Sequence, residues 1–261
     1  MTDLESSLGS VRDRIAAAAL RAGRDPAEIT LVAVSKGQPA SAIRAAYDLG
    51  LRHFGENRAD EAELKAGDLP AGITWHMIGH VQSRQAKLVV SLFHAVHSVD
   101  SAKLARRLSR FCGEQGKQLP ILLELNVSGE AGKYGLAADQ SLPSRPGPWP
   151  GGGVQRDMLL ATIQEIITLP DVQIQGLMTM APIVADAEQT RPVFARLRRV
   201  RDELAAVFPQ VAWRHLSMGM TDDFEVAVEE GATLVRVGRA IFAPDAPVWC
   251  QVPRPTTEED R

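Results

Sequence analysis

The feature that most restricts this chain is a rhythm in which short apolar runs alternate with helical segments, with eight such runs in 261 residues. The runs fall at 31–36, 52–55, 75–79, 95–99, 121–127, 173–180, 213–217 and 234–238. A chain that leaves a sheet and returns to it through a helix must add its next strand in parallel. Eight such units predict one closed (β/α)8 barrel of the TIM type rather than an open doubly wound sheet. Ahead of the first run, Leu8, Val11, Ile15 and Ala19 share a helical face, and Gly23 and Pro26 end that helix. The barrel therefore carries an additional N-terminal helix.

The helices between the runs are marked at their ends. Pro39 and Ser41 open one that carries Ile43, Ala46 and Tyr47 and stops at Gly50, and a polar helix follows Asn57. Others are expected over 83–92, after an Asp100 or Ser101 cap, and over 157–169, 186–208 and 222–230. These boundaries place the barrel in residues 1–242. Within it, the stretch around 137–156 is too rich in Pro and Gly for helix or strand and reads as a loop insertion, with a lid over the site as the second reading. The tail over 243–261 ends in Glu258-Glu259-Asp260 and is expected to be partly disordered.

Charge and cysteine content exclude several functions. Twenty-nine basic against thirty-two acidic residues give a net charge of −3, with no basic stripe and no interleaved aromatics, so no nucleic acid is expected as a partner. Cys112 and Cys250 lack metal-ligand spacing and suggest free thiols in a reducing compartment, and no metal is expected. No run reaches the roughly 18 to 20 apolar residues of a membrane span. A cytoplasmic protein without membrane contact is the expectation.

The chemistry starts from Lys36, at the end of the first run. An amine at the end of a buried strand loses hydration, which brings its pKa down from about 10.4 and leaves a nucleophile for carbonyl compounds. The bland alternative is a strand-terminal lysine pointing into water. In a barrel the chemistry lies at the C-terminal strand ends, with a phosphate site commonly built from the loops after strands seven and eight. Here those ends read Leu216-Ser217-Met218-Gly219-Met220 and Val235-Arg236-Val237-Gly238-Arg239. A hydroxyl, glycines and successive N–H groups can wrap a phosphate dianion. An amine on one side and a phosphate cradle on the other describe a pocket for pyridoxal phosphate (PLP).

Ala33-Val34-Ser35-Lys36, Phe54-Gly55-Glu56-Asn57, Trp75-His76-Met77-Ile78-Gly79, Gln82-Ser83, Leu125-Asn126-Val127-Ser128, Gly176-Leu177-Met178, Ser217 to Asp223 and Val235-Arg236-Val237-Gly238 occur in this order. Together they resemble the pyridoxal phosphate homeostasis protein family, from about Ile29 to Phe242. The resemblance implies a barrel similar to the N-terminal domain of alanine racemase, with pyridoxal 5′-phosphate held as an aldimine to Lys36. It further implies a site lined by Asn57, Ser217, Met218, Arg236 and Gly238, with the Arg239 N–H completing the phosphate cradle. His76 joins this group as a candidate, since alternation puts it on the face of Ile78. Arg236 is expected to donate to the pyridine nitrogen, as the matching arginine does in alanine racemase. The pattern is broken at His80, Arg84 and Arg239, where Pro, Asn and a small residue are usual.

The function implied is that of a cofactor carrier or regulator of vitamin B6 balance without catalytic residues, with PLP-requiring apoenzymes as partners and a monomer or weak dimer as its state. A PLP-dependent racemase or decarboxylase is the alternative, for which Lys36 serves one face and His76 the other. Its core reading, a hydrogen-bonded interior histidine, stands beside that role. A class I aldolase using Lys36 without cofactor is a third possibility.

Overall fold

The computed structural model describes residues 3–128, 134–138 and 154–243. Eight parallel strands close on themselves: β1 (Thr30–Val34), β2 (His53–Glu56), β3 (Thr74–Met77), β4 (Ala95–Val99), β5 (Leu119–Asn126), β6 (Val172–Met178), β7 (His215–Ser217) and β8 (Leu234–Val237). Each pairs with the next, and β8 returns to β1 with Thr30 opposite Leu234 and Ala33 opposite Val237. A two-residue strand, Leu136–Ala137, adds to the end of β5 outside the ring.

Around the barrel run α1 (Asp3–Arg21), α2 (Ala40–Asp48), α3 (Ala59–Ala66), α4 (Ala86–Leu92), α5 (Ala102–Glu114), α6 (Val154–Ile167), α7 (Arg191–Val207), α8 (Phe224–Glu229) and α9 (Arg239–Phe242). The N-terminal α1 buries Leu8, Val11, Ile15 and Ala19 and packs against α8 and α9. Ser101 caps α5 by accepting from the Leu104 N–H. Alternation then splits the strands into two faces. Outward, Phe54, Met77, Val96, Leu123, Leu177 and Val235 join the helices in one large apolar layer. Inward, the buried apolar side chains among the described residues include a separate small cluster of Val32, Leu122, Met178 and Leu234.

Several boundaries differ from the sequence reading. The segment 186–208 starts as a 3-10 turn, Ala187–Thr190, and becomes α-helical at Arg191, because Pro192 has no N–H to give and suits only the first turn. The 83–92 segment divides in the same manner, with a 3-10 turn over Ser83–Gln85 before α4. The helix α9 was not anticipated; at four residues it is too short to carry a periodic pattern. The largest difference is at Lys36. The strand ends at Val34, Ser35 takes the last buried position, and the chain turns at Lys36 and Gly37, so the Lys36 side chain is exposed rather than desolvated. The 139–153 part of the Pro/Gly-rich insertion and the tail from Pro244, with Cys250, lie outside the described residues.

Candidate functional site

Lys36 is held through its neighbours. Ser35 donates its N–H to the Gly55 carbonyl (3.0 Å) and its hydroxyl to Glu56 Oε1 (2.7 Å). From α3, Lys65 Nζ reaches the Ser35 carbonyl (3.2 Å), Glu56 Oε1 (3.1 Å) and Glu61 Oε1 (2.8 Å), and Glu61 accepts from the Gly37 N–H. The residues before and after the lysine are thus fixed while its own side chain is free to turn. Glu56 is fully buried; burial pushes its carboxyl pKa up, against the pull of Ser35 and Lys65. Asn57 follows directly, and Gly79 lies so close to it that a Cβ there would sit 2.2 Å from the Asn57 carbonyl oxygen. Only glycine permits that approach.

The facing wall comes from β7 and β8. Ser217 ends β7 with no exposed surface, and its Oγ accepts from Arg236 Nη1 (2.7 Å). Arg236, inward on β8 and 4% exposed, gives Nη2 to the Thr179 carbonyl (3.0 Å). Burial pushes this guanidinium down to about 10, opposed by the charges of Asp223 and Glu124. Its bonded partners are a hydroxyl and a carbonyl, not a carboxylate. Met218 is fully buried and its N–H is taken by the Leu234 carbonyl (3.2 Å). Gly219 has φ +91°, and a Cβ there would lie 2.5 Å from that of Ala227, so the loop after β7 folds down on α8 only with glycine.

Gly238 closes the ring. It packs on Val34, where an added Cβ would stand 3.0 Å from the Val34 carbonyl oxygen, so the β8 loop and the Lys36 turn are side by side at one barrel end. The helix α9 starts at Arg239, and a first-turn N–H has no carbonyl one turn behind it to bond. The Arg239 guanidinium pairs with Asp222, in the loop after β7. Of the two other departures, His80 pairs with Asp100 (3.2 Å) and stacks on Tyr134 at 4.3 Å.

His76 does not reach the mouth itself. Its Nε2 lies 3.0 Å from His53 Nδ1 and its Nδ1 2.9 Å from His97 Nε2, and His97 Nδ1 lies 2.9 Å from Ser217 Oγ. Burial pushes His76 down to about 3 and His97 well below the usual histidine range, with neighbouring imidazoles adding to both shifts. Sequence reasoning missed His53, His97, Thr179 and Glu124. Alternation within β4 gives the inward face to His97, but only the closed barrel brings it across to Ser217 on β7. Glu124, inward on β5, is pushed up to about 7 by burial and by Asp100.

The donor set fits a phosphorylated aromatic aldehyde. It comprises a reachable amine, a buried cation bonded to neutral groups, a hydroxyl, and N–H groups at the start of a helix. Among the described residues, no group of His, Cys, Asp and Glu is arranged to hold a metal. Cys112 is buried in α5 with its thiol pushed up to about 11, which keeps it unreactive.

Known proteins match over nearly the whole chain. The family model for the alanine racemase N-terminal domain matches residues 7–144 and 151–245. A pyridoxal phosphate homeostasis protein of Pseudomonas aeruginosa is 39% identical over 245 residues, 93% of this chain and 96% of that one. Its counterpart in Escherichia coli is 36% identical over 251 residues, covering 93% and 97%. The structure of PipY from Synechococcus elongatus with PLP bound is similar at a TM-score of 0.75 and 37% identity, over 92% of this chain and all of that one. Alanine racemase of Clostridium difficile, at 12% identity and a TM-score of 0.65, shares the fold and is covered over 56% of its length.

Proposed function

From the premise that this chain belongs to the alanine racemase N-terminal domain family, alongside the pyridoxal phosphate homeostasis proteins, we propose that it binds pyridoxal 5′-phosphate at the barrel mouth and maintains vitamin B6 balance as a carrier or regulator. The observation that carries this reading is the adjacency of the Lys36 turn to Gly238 and, beside it, to the buried pair Ser217 and Arg236.

Each residue then has a task. Lys36, exposed on a turn pinned at Ser35 and Gly37, supplies the amine for a reversible imine. The Ser217 hydroxyl and the N–H groups of Gly238 and Arg239 hold the phosphate, while Asn57 and Met218 line the ring pocket. When bound, the cofactor supplies an aldehyde and an electron-withdrawing ring. Arg236 donates to the ring nitrogen without protonating it, because a guanidinium keeps its proton even at a pKa of about 10. A ring left unprotonated is a poor electron sink, which suits storage over carbanion chemistry. The protein works in the cytoplasm and hands the cofactor to PLP-requiring apoenzymes; no helix among the described residues is long and apolar enough to cross a membrane.

The test is retention without turnover. Protein loaded with PLP and dialysed is expected to keep a visible imine band, and to show no sustained racemisation or decarboxylation of amino acids above the free cofactor. Multiple turnovers would replace the carrier with an enzyme.

A further inference from the structure

The three imidazoles behind Ser217 form an uninterrupted chain through the barrel. His53 opens β2 at the N-terminal end, His76 is the third residue of β3, His97 the third of β4, and Ser217 closes β7 at the C-terminal end. Their links measure 3.0, 2.9 and 2.9 Å, and Arg236 holds the last member at 2.7 Å. At the other end, His53 lines a cavity of about 520 Å³ with Arg12, Arg52, Ile15, Ile29 and Leu31. The groups facing the chain are His94, whose Nδ1 accepts from the Trp75 N–H, His215, bonded to Thr233 Oγ1, and the buried Arg236. Among these the only permanent charge is the cation Arg236, which opposes any imidazolium.

Neutral imidazole has one N–H and one bare nitrogen, and each link needs a single hydrogen. These two conditions leave two arrangements. In one, Ser217 donates to His97 Nδ1 and all three histidines carry hydrogen at Nε2. In the other, all three carry it at Nδ1, His97 donates to Ser217 Oγ, and the Ser217 hydrogen is released toward the mouth. Because Oγ also accepts from Arg236, it is saturated in the second arrangement, with its O–H free to meet an acceptor. No mixed arrangement keeps every link without a charge or a clash of lone pairs.

We propose that His53, His76 and His97 are positioning residues that act as one tautomeric relay, set by a phosphate at Ser217 and open to solvent at the His53 cavity. This rests on the reading of Ser217 as the phosphate donor. When a phosphate monoanion seats, its proton goes to Ser217 Oγ and the former Ser217 proton goes to His97 Nδ1. The His97 Nε2 proton passes to His76 Nδ1, the His76 Nε2 proton to His53 Nδ1, and the His53 Nε2 proton to water. One proton enters and one leaves; the phosphate is held as a dianion and no imidazole becomes charged. Burial, which holds all three histidines neutral, makes the shared shift the route that avoids an interior cation.

The test is nitrogen NMR of protein labelled with 15N at histidine, free and with pyridoxal 5′-phosphate or unphosphorylated pyridoxal. The phosphorylated form is expected to move Nδ1 of His53, His76 and His97 together, from the position of a bare nitrogen to that of a protonated one; pyridoxal leaves them in place. A change confined to His97, or none, overturns the relay. Ser217→Ala separates this failure from that of the underlying reading. If that variant keeps the full preference for the phosphate ester, Ser217 is not its donor and both fall; if it loses about tenfold while the wild-type histidines stay put, only the relay falls. His53→Phe, at the far end of the chain, is expected to abolish the joint response at His76 while leaving far-ultraviolet circular dichroism unchanged, and an undiminished response contradicts the proposal.

Discussion

The layer between strands and helices and the lining of the barrel come from the same strands, one residue apart, yet their chemistry is opposite. Outward, Phe54, Met77, Leu177 and their partners meet α1 to α8 in a continuous apolar layer. Inward, a cluster of four buried apolar side chains among the described residues shares the space with Arg236, Glu124, Ser217 and four of the six histidines. Burial of apolar surface drives folding at roughly 25 cal/mol per Å², so the outer layer carries the stability. Buried polar groups add little net and cost much when unpaired. The interior is therefore the part whose composition folding alone does not explain.

The contrast can be broken at its stable side first. Phe194→Ala, in the outer layer on α7, is expected to lower the unfolding free energy by about 3 to 5 kcal/mol. PLP affinity of the remaining folded protein should not change; denaturant unfolding with and without cofactor checks both. A loss of affinity in the folded fraction would mean the two regions are not separable.

Acid acts on the inner side. His76 has its folded pKa depressed to about 3 against an ordinary 6.5, so the stability from keeping it neutral is present above 6.5 and is lost as pH falls toward 3. At pH 5 this one group is expected to cost about 2 kcal/mol, with His53 and His97 adding in the same direction. The loss should shrink in His76→Phe, measured by thermal unfolding from pH 7 to 4. Equal acid sensitivity in that variant would place the responsible protons elsewhere.

A third test stays inside the site. Arg236→Gln is expected to weaken PLP retention by about 1 to 3 kcal/mol, the range for hydrogen bonds from a charged group, without preventing imine formation. Parallel titration with pyridoxal decides its role: a loss shared by both ligands fits a bond to the ring nitrogen, and a loss confined to the phosphorylated one makes Arg236 a phosphate ligand.

How legible these regions are in the sequence follows from the same contrast. The barrel could be read because the outer layer writes itself as apolar runs and helical stripes, local patterns of period 2 and 3.6. Ser217, Arg236 and Gly238 could be read because strand ends in a barrel have a known place. His97 could not, since its partner is 120 residues away across the interior. The desolvation expected at Lys36 is not found: the apolar run through Val34 gives no sign that Ser35 fills the last buried position and that Gly37, at φ +71°, turns the chain. The strand itself does not supply the desolvation that the sequence assigned to it, since the Lys36 side chain is exposed.

The smallest effect on stability is expected at that lysine, and it carries the most direct test. Lys36→Ala should alter the unfolding free energy by no more than about 0.5 kcal/mol, since the side chain is exposed and its neighbours are held by Ser35, Glu61 and Lys65. Borohydride reduction of PLP-loaded wild-type protein, followed by proteolysis and mass spectrometry, should place the pyridoxyl group on Lys36, and the visible band should be missing from the variant. A label on another lysine, or a band that persists in Lys36→Ala, would contradict the assignment of the amine and of the site built around it.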